Sequence, residues 1–247
     1  MRKMIQTAVV TGADRGLGLG MTKRLLQLGW QVCAGSYMTD WPELQRLKLQ
    51  APERLILVPL DVSSDQSVEE AGRILSERSW TVDMLINNAG ISTRSYRSIH
   101  ESQDDDEVLR IFNVNAAGPM RMVRVLQPLM EGSSRKRLCF VSSEAGSLAR
   151  SYRDNWYGYC MSKTALNRGV QSLFHELRPR GYTFRLYHPG WVRSYMSGQL
   201  STEGELDADE AARLAVTYFI RNRYEREAVS EEDRLVMRDW LGREWPW

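Results

Sequence analysis

A doubly wound α/β fold, one parallel sheet flanked by helices on both faces, is predicted by three features of the sequence. Short, nearly continuous apolar runs alternate with longer amphipathic ones. The apolar runs have the length of strands, and no Pro-, Gly- or Ser-rich linker, internal repeat or low-complexity segment interrupts the rhythm. Strands that read as unbroken apolar runs are buried on both faces, the condition of a parallel sheet with helical crossovers. The 247 residues, 43% hydrophobic and 26% charged, suit one globular domain spanning 1–247, with a core that needs no metal or disulfide staple.

The first strand, 6–11, runs into Thr11-Gly12-Ala13-Asp14-Arg15-Gly16-Leu17-Gly18, after which a helix begins. Strands at 31–36 and 55–60 follow. A helix over 64–78 is announced by a cap-type Ser64 ahead of Ser67 and Val68. The fourth strand, 84–87, leads into Asn88-Ala89-Gly90, and a long helical run over 108–130 carries Gly118-Pro119 inside it. The fifth strand, 138–142, precedes Ser143-Glu144-Ala145-Gly146. Leu166, Val170, Leu173, Phe174 and Leu177 then recur on one helix face. A sixth strand, 184–188, and a weak seventh at 235–237 complete the set.

Charge and motif content exclude several functions. With 33 basic and 31 acidic side chains the net charge is +2, and the densest basic run, Arg135-Lys136-Arg137, is short. That is no footprint for nucleic acid. Cys33, Cys139 and Cys160 are odd in number and lack framework spacing, and His100, His175 and His188 form no ligand pair, so neither a disulfide scaffold nor a metal site is expected. No apolar stretch approaches the roughly 18 residues of a membrane span. The N-terminal apolar run breaks into glycines rather than forming a secretory segment. The expected compartment is therefore the cytoplasm.

A doubly wound sheet takes its ligand outside the carboxyl ends of its strands, and that is where the unusual residues fall. Gly12, Gly16 and Gly18 permit a tight turn and let backbone N–H groups approach a diphosphate at the positive end of a helix, the Rossmann-type arrangement, although the spacing is GxxxGxG. The paired Asn87 and Asn88 suit tying neighbouring strands, binding a ribose or capping a turn. Tyr159 and Lys163, four apart, stack on one helix face, where an ammonium favours the ionised phenol.

TGxxxGxG, NNAG, a serine after the fifth strand and YxxxK, in this order, resemble the short-chain dehydrogenase/reductase family in its single-domain form. Asn115-Ala116-Ala117-Gly118-Pro119, the segment from Ser162 to Asn167, His188-Pro189-Gly190-Trp191-Val192-Arg193-Ser194 and the terminal Gly242-Arg243-Glu244-Trp245-Pro246-Trp247 resemble its C-factor type, which includes small carbonyl reductases. The resemblance implies an oxidoreductase acting on a small-molecule carbonyl or alcohol. Tyr159 is its acid/base, Lys163 holds the cofactor ribose and lowers the phenol's pKa, Ser143 orients the substrate oxygen, and Asn115 kinks its helix and holds a water. It also implies that Gly12, Asp14, Arg15, Gly16, Leu17 and Gly18 surround the diphosphate end of the dinucleotide. Ser36 and Tyr37 meet the adenosine ribose, Asp61 and Val62 the adenine, Asn88, Ala89 and Gly90 the ribose, and Pro189, Gly190, Val192 and Ser194 the nicotinamide amide.

The second strand, through Thr39, contains no acid to accept from a ribose 2′-OH, and Arg15 stands ready for a 2′-phosphate, so NADP(H) is favoured over NAD(H). Tyr152, Trp156 and Tyr157 either line the substrate pocket or pack locally. The stretch 195–205 reads as a lid or a plain loop. Trp240, Trp245 and Trp247 belong at a sheet edge or an interface. A homo-oligomer, dimer or tetramer, is the expectation from the family. The alternative function is a C-factor-like nucleotide-binding signalling protein with little turnover.

Overall fold

Alternation within the strands sets the layers. In β1 (Thr7–Thr11), Val9 joins one apolar cluster while Ala8 and Val10 join the other. In β5 (Arg137–Val141), Leu138 and Phe140 face the first cluster and Cys139 the second. Successive side chains point to opposite faces, so a strand apolar throughout has to be covered twice.

The computed structural model describes residues 5–93, 98–101, 104–196, 201–221 and 233–247. The remaining strands are β2 (Gln31–Ser36), β3 (Leu55–Pro59), β4 (Met84–Asn87), β6 (Thr183–His188), β7 (Met237–Asp239) and β8 (Glu244–Trp245). They form one sheet in the order β3-β2-β1-β4-β5-β6-β7-β8. All pairings are parallel except β7 with β8. The order reverses between β1 and β4, which opens the ligand crevice between their carboxyl ends.

One face is covered by α3 (Asp65–Glu77), α5 (Gly118–Met130) and α6 (Tyr157–Leu177), through Val68, Leu75, Met122, Leu126, Val170 and Phe174. The other is covered by α1 (Gly16–Gln27) and α7 (Ala208–Ile220), through Met21, Leu25, Ala212, Val216 and Phe219. Helices α2 (Pro42–Gln50) and α4 (Asp105–Phe112) flank these layers. No described helix is long and apolar enough to cross a membrane.

The predicted strands hold to within one residue except the last. Strand β7 starts at Met237, where the expected one ends, and β8 was not foreseen. Both are short, and their charged residues hide the apolar pattern. The predicted helix 108–130 is two helices, α4 and α5, joined by a π-helical turn at Asn113–Ala117. Helix α4 begins earlier than predicted because Asp104 caps it, its carboxylate accepting from Glu107 N at 3.0 Å. The first turn is acidic, so apolar periodicity could not mark it. The tryptophan-rich tail lies at the sheet edge: Trp240 and Trp245 pack edge-on against His188 at centroid distances of 5.2 and 5.1 Å.

Candidate active site

The turn from β1 to α1 presents backbone rather than side chains. Gly12 and Gly16 have positive φ, and a Cβ on Gly18 would stand 2.0 Å from Gly12 O. Only glycine lets helix and strand approach this closely. Ser64, Asp104 and Asp207 cap α3, α4 and α7 by accepting from the helix backbone, but α1 has no side-chain cap. Its first N–H groups thus remain available to an anion.

Asn88 holds this turn. Its Nδ2 donates to Thr11 O at 2.9 Å and Gly12 O at 3.1 Å, while Asn88 N and Ala89 N both donate to Thr11 Oγ1. Of the roles open from the sequence, Asn88 performs the tying one. Its neighbour Asn87 reaches from β4 to Cys139 O in β5. Asp61 bends the chain after β3, its Oδ1 accepting from the amide and hydroxyl of Ser63, and Val62 packs beneath Gly118.

At the end of β2, Ser36 is buried and Tyr37 is exposed. The second strand supplies no acid there, but the glycine turn does: Asp14 Oδ1 accepts from Tyr37 N at 3.4 Å. Burial pushes the Asp14 carboxyl above its ordinary pKa, against the lowering influence of its own and Tyr37's backbone N–H groups and of Arg15. The Arg15 guanidinium lies 5.4 Å from the Trp41 ring centroid and 5.3 Å from that of Tyr195, and donates to Tyr195 O at 3.3 Å. Sequence reasoning placed Arg15 but missed these aromatic flanks, which come from segments remote in the chain.

Between β4 and α6 the site is made of side chains. The π-helical turn swings Asn115 inward. Its Oδ1 accepts from Ile91 N at 2.9 Å, and its Nδ2 donates to Ile91 O at 2.9 Å and to Ser162 Oγ at 3.0 Å. Ser162 Oγ in turn donates to Tyr159 O at 2.7 Å. Asn115 therefore ties the exit of β4, beside Gly90, to the first turn of α6.

Tyr159 and Lys163 lie on the buried stripe of α6 that continues through Leu166, Val170, Phe174 and Leu177. Lys163 is 3% exposed, and among the described residues its ammonium donates only to Val141 O, at 3.0 Å. Burial lowers its pKa from 10.5 to about 8. An ideal Cβ on Gly90 would lie 3.7 Å from Lys163 Nζ, so the ammonium faces the strip of backbone after β4.

Ser142 and Ser143 separate cleanly. Ser142 Oγ donates to Asn167 Oδ1 at 2.6 Å, and Asn167 Nδ2 donates to Gly146 O at 3.0 Å, so Ser142 serves the scaffold. Ser143 Oγ donates a short hydrogen bond to Glu144 and stands near the Tyr159 phenol. Burial, and next the charge of Glu144, push that phenol above its ordinary pKa, while Ser143 and Arg153 pull it down. The lowering expected from Lys163 is not among the influences on the phenol, which burial dominates.

Glu144 and Arg153 were missed by sequence reasoning. Nine residues apart in an irregular segment, they offered no periodic signal. Around the expected lid, Val192 bridges to Leu206 and Ser201 N donates to Ser194 O at 2.9 Å. Residues 197–200 of the expected lid lie outside those described. Pro189 and Gly190 follow β6, with the Trp240 ring packed against Gly190. Ser194 comes within reach of the glycine turn, 3.6 Å from an ideal Cβ on Gly16.

A parallel sheet with its order reversed at β1/β4, a glycine turn there, and Ser143, Tyr159 and Lys163 gathered at the next strand ends define an oxidoreductase fold and site of one kind. The chain belongs to the short chain dehydrogenase family, whose model matches residues 6–205, and it is an enzyme of that type. It is 34% identical over 166 residues to the C-signal protein of Myxococcus xanthus, covering 67% of this chain and 93% of that one. Among solved structures, an NADPH-bound carbonyl reductase from chicken fatty liver superposes with a TM-score of 0.84 at 27% identity, over 99% of this chain and 100% of that one. A carbonyl reductase from Pseudomonas aeruginosa PAO1 gives 0.80 at 30% identity, over 98% and 100%.

Proposed function

We propose that this enzyme is an NADP(H)-dependent carbonyl reductase, reducing a ketone or aldehyde, or oxidising the corresponding alcohol, with Tyr159 as the acid/base. One observation carries the reading. Lys163 holds a buried ammonium whose single acceptor among the described residues is Val141 O, on the same buried helix face as the Tyr159 phenol. A buried cation with spare donors fits a sugar diol, and the uncapped, glycine-lined start of α1 fits a diphosphate. The likeness to an NADPH-bound carbonyl reductase supports the same cofactor.

When bound, NADP(H) supplies or accepts the hydride. The chain's residues do the rest. The first N–H groups of α1 hold the diphosphate, Arg15 meets the 2′-phosphate, and Lys163 takes the ribose hydroxyls. A carbonyl oxygen placed between Ser143 Oγ and Tyr159 Oη accepts a hydrogen bond from each. As negative charge gathers on that oxygen, Tyr159 gives up its proton, and the ammonium of Lys163 stabilises the phenolate left behind. Asn115, by fixing Ile91 and Ser162, keeps the β4 exit and the start of α6 in register. Gly12, Asp14, Gly16, Leu17, Gly18, Ser36, Tyr37, Asp61, Val62, Asn88, Ala89, Gly90, Pro189, Gly190, Val192 and Ser194 frame the cofactor cleft.

Titration with NADPH and NADH, followed by quenching of tryptophan fluorescence, tests the cofactor assignment. NADPH should bind more tightly, and Lys163→Met should weaken both. Equal or tighter NADH binding would overturn the preference. The likeness to C-signal supports a second reading, a nucleotide-binding signalling or regulatory protein with little turnover. Under it Tyr159→Phe would leave cellular function intact.

A further inference from the structure

Glu144 follows Ser143 directly, and its carboxylate is mostly buried, with 12% of the side chain exposed. It accepts a short hydrogen bond from Ser143 Oγ. On its other side it accepts from Arg153 Nε at 2.8 Å and pairs with Arg153 Nη2. The Arg153 guanidinium lies 3.9 Å from the Trp156 ring centroid. The Trp156 ring stands edge-on to Tyr159, 5.6 Å between centroids, and Ser143 and Glu144 are among the groups that act on the Tyr159 phenol. Five side chains thus form one continuous chain of contacts, and the two at its ends are the hydroxyls assigned to the substrate oxygen. Trp156 caps α6 in a left-handed conformation, φ 65°, so the segment carrying Arg153 is turned back over the site.

We propose that Glu144 and Arg153 act as a charge-compensated pair of positioning residues: in the ligand-free protein Glu144 holds the Ser143 hydroxyl hydrogen, which turns to the substrate oxygen when that oxygen arrives, and Arg153 cancels at the phenol the negative charge that Glu144 brings. The inference rests on Tyr159 being the acid/base of the proposed function.

A carboxylate beside a phenol opposes its ionisation, and a guanidinium on that carboxylate restores it. The groups facing the phenol are Ser143 and Glu144 from the turn after β5, Arg153 from the loop before α6, and Cys160 and Lys163 from α6 itself. Behind Glu144 stands His188 of β6, which in turn faces Asp239 of β7. Glu144 remains the nearest uncancelled negative charge if Arg153 is removed. Its carboxyl is held below its ordinary pKa despite burial, by Ser143 and Arg153, so it stays charged at neutral pH.

The test places 3,5-difluorotyrosine at position 159, whose phenol ionises far more readily than tyrosine, and follows its 19F resonance against pH in the full chain. Glu144→Gln should lower the midpoint by about one pH unit, and Arg153→Met should raise it by about as much. The double variant should return close to the parent, and Arg153→Lys should stay there. Unchanged midpoints, or a shift in Arg153→Met that Glu144→Gln does not reverse, would overturn the proposal.

Cys160 gives a second readout without an altered tyrosine. Burial raises its thiol pKa, Glu144 raises it further and Arg153 lowers it. Its rate with a disulfide reagent at pH 8 should rise in Glu144→Gln and fall in Arg153→Met, and equal rates would contradict the pair's electrostatic role. Turnover retained in Tyr159→Phe would overturn the proposed function and leave these shifts intact. Inactive Tyr159→Phe with no shifts would overturn this inference alone.

Discussion

Between β1 and α1 the chain offers backbone: uncapped N–H groups, left-handed glycines and a helix pressed against its own strand. Between β5 and α6 it offers side chains: Ser143 bonded to Glu144 and Glu144 to Arg153, beside the buried Tyr159 and Lys163. The first region is suited to a ligand whose charge is fixed, and needs only donors at the right separation. The second, on the proposed mechanism, handles a proton that moves, and so needs titratable groups whose surroundings set their pKa values. A backbone site tolerates little change in shape, whereas a side-chain site tolerates little change in charge.

Tyr159→Phe tests that contrast with the largest effect. It keeps the ring and removes the proton, so carbonyl reduction should fall by about 10²- to 10⁴-fold, while NADPH titration stays near wild type. Equal losses in both measurements would erase the distinction between the two regions.

Lys163→Met should stabilise the cofactor-free protein. The folded pKa, about 8, lies below the value of 10.5 for a free lysine. Between these values the unfolded chain holds more protons than the folded one, so wild-type stability rises with pH across that window. The variant's advantage should therefore be largest at and below pH 8, about 3 kcal/mol, and vanish towards pH 10.5. Denaturant melts at pH 7, 9 and 10.5 measure it, and a gap that grows with pH would contradict the burial argument.

Gly18→Ala changes shape alone. Its Cβ would meet Gly12 O at 2.0 Å, which should cost about 1–3 kcal/mol in thermal melts and remove measurable cofactor binding. The smallest effect belongs to Arg15→Ala, at the cleft's outer end: about a tenfold loss for NADPH with little change for NADH, read by fluorescence titration.

The fold was legible because its strands are apolar on both faces and its glycine turn lies where strand gives way to helix. The positions of Tyr159 and Lys163 were legible from a four-residue spacing that a helix converts into one face. The balance of charge around them was not. Asp14 reaches Tyr37 across the β1/β2 crevice, and Arg153 reaches Glu144 through a loop without period. Such contacts depend on how irregular segments fold over the sheet, which no local pattern encodes. The break in the helix at Asn115 was expected only from resemblance, whereas the hydrogen bonds to Ile91 and Ser162 that use it required the structure.

The central claim, that Tyr159 and the cofactor cleft form one reducing site, is tested most directly by isotope transfer. NADPH carrying deuterium at the reactive C4 position is incubated with a panel of ketones and aldehydes and the wild-type or Tyr159→Phe protein, and the products are examined by mass spectrometry. The account predicts alcohols bearing one deuterium on the former carbonyl carbon with the wild type, and a loss of at least about 10²-fold in that product with the variant. Equal deuterium incorporation by both proteins, or none by the wild type across the panel, would contradict it.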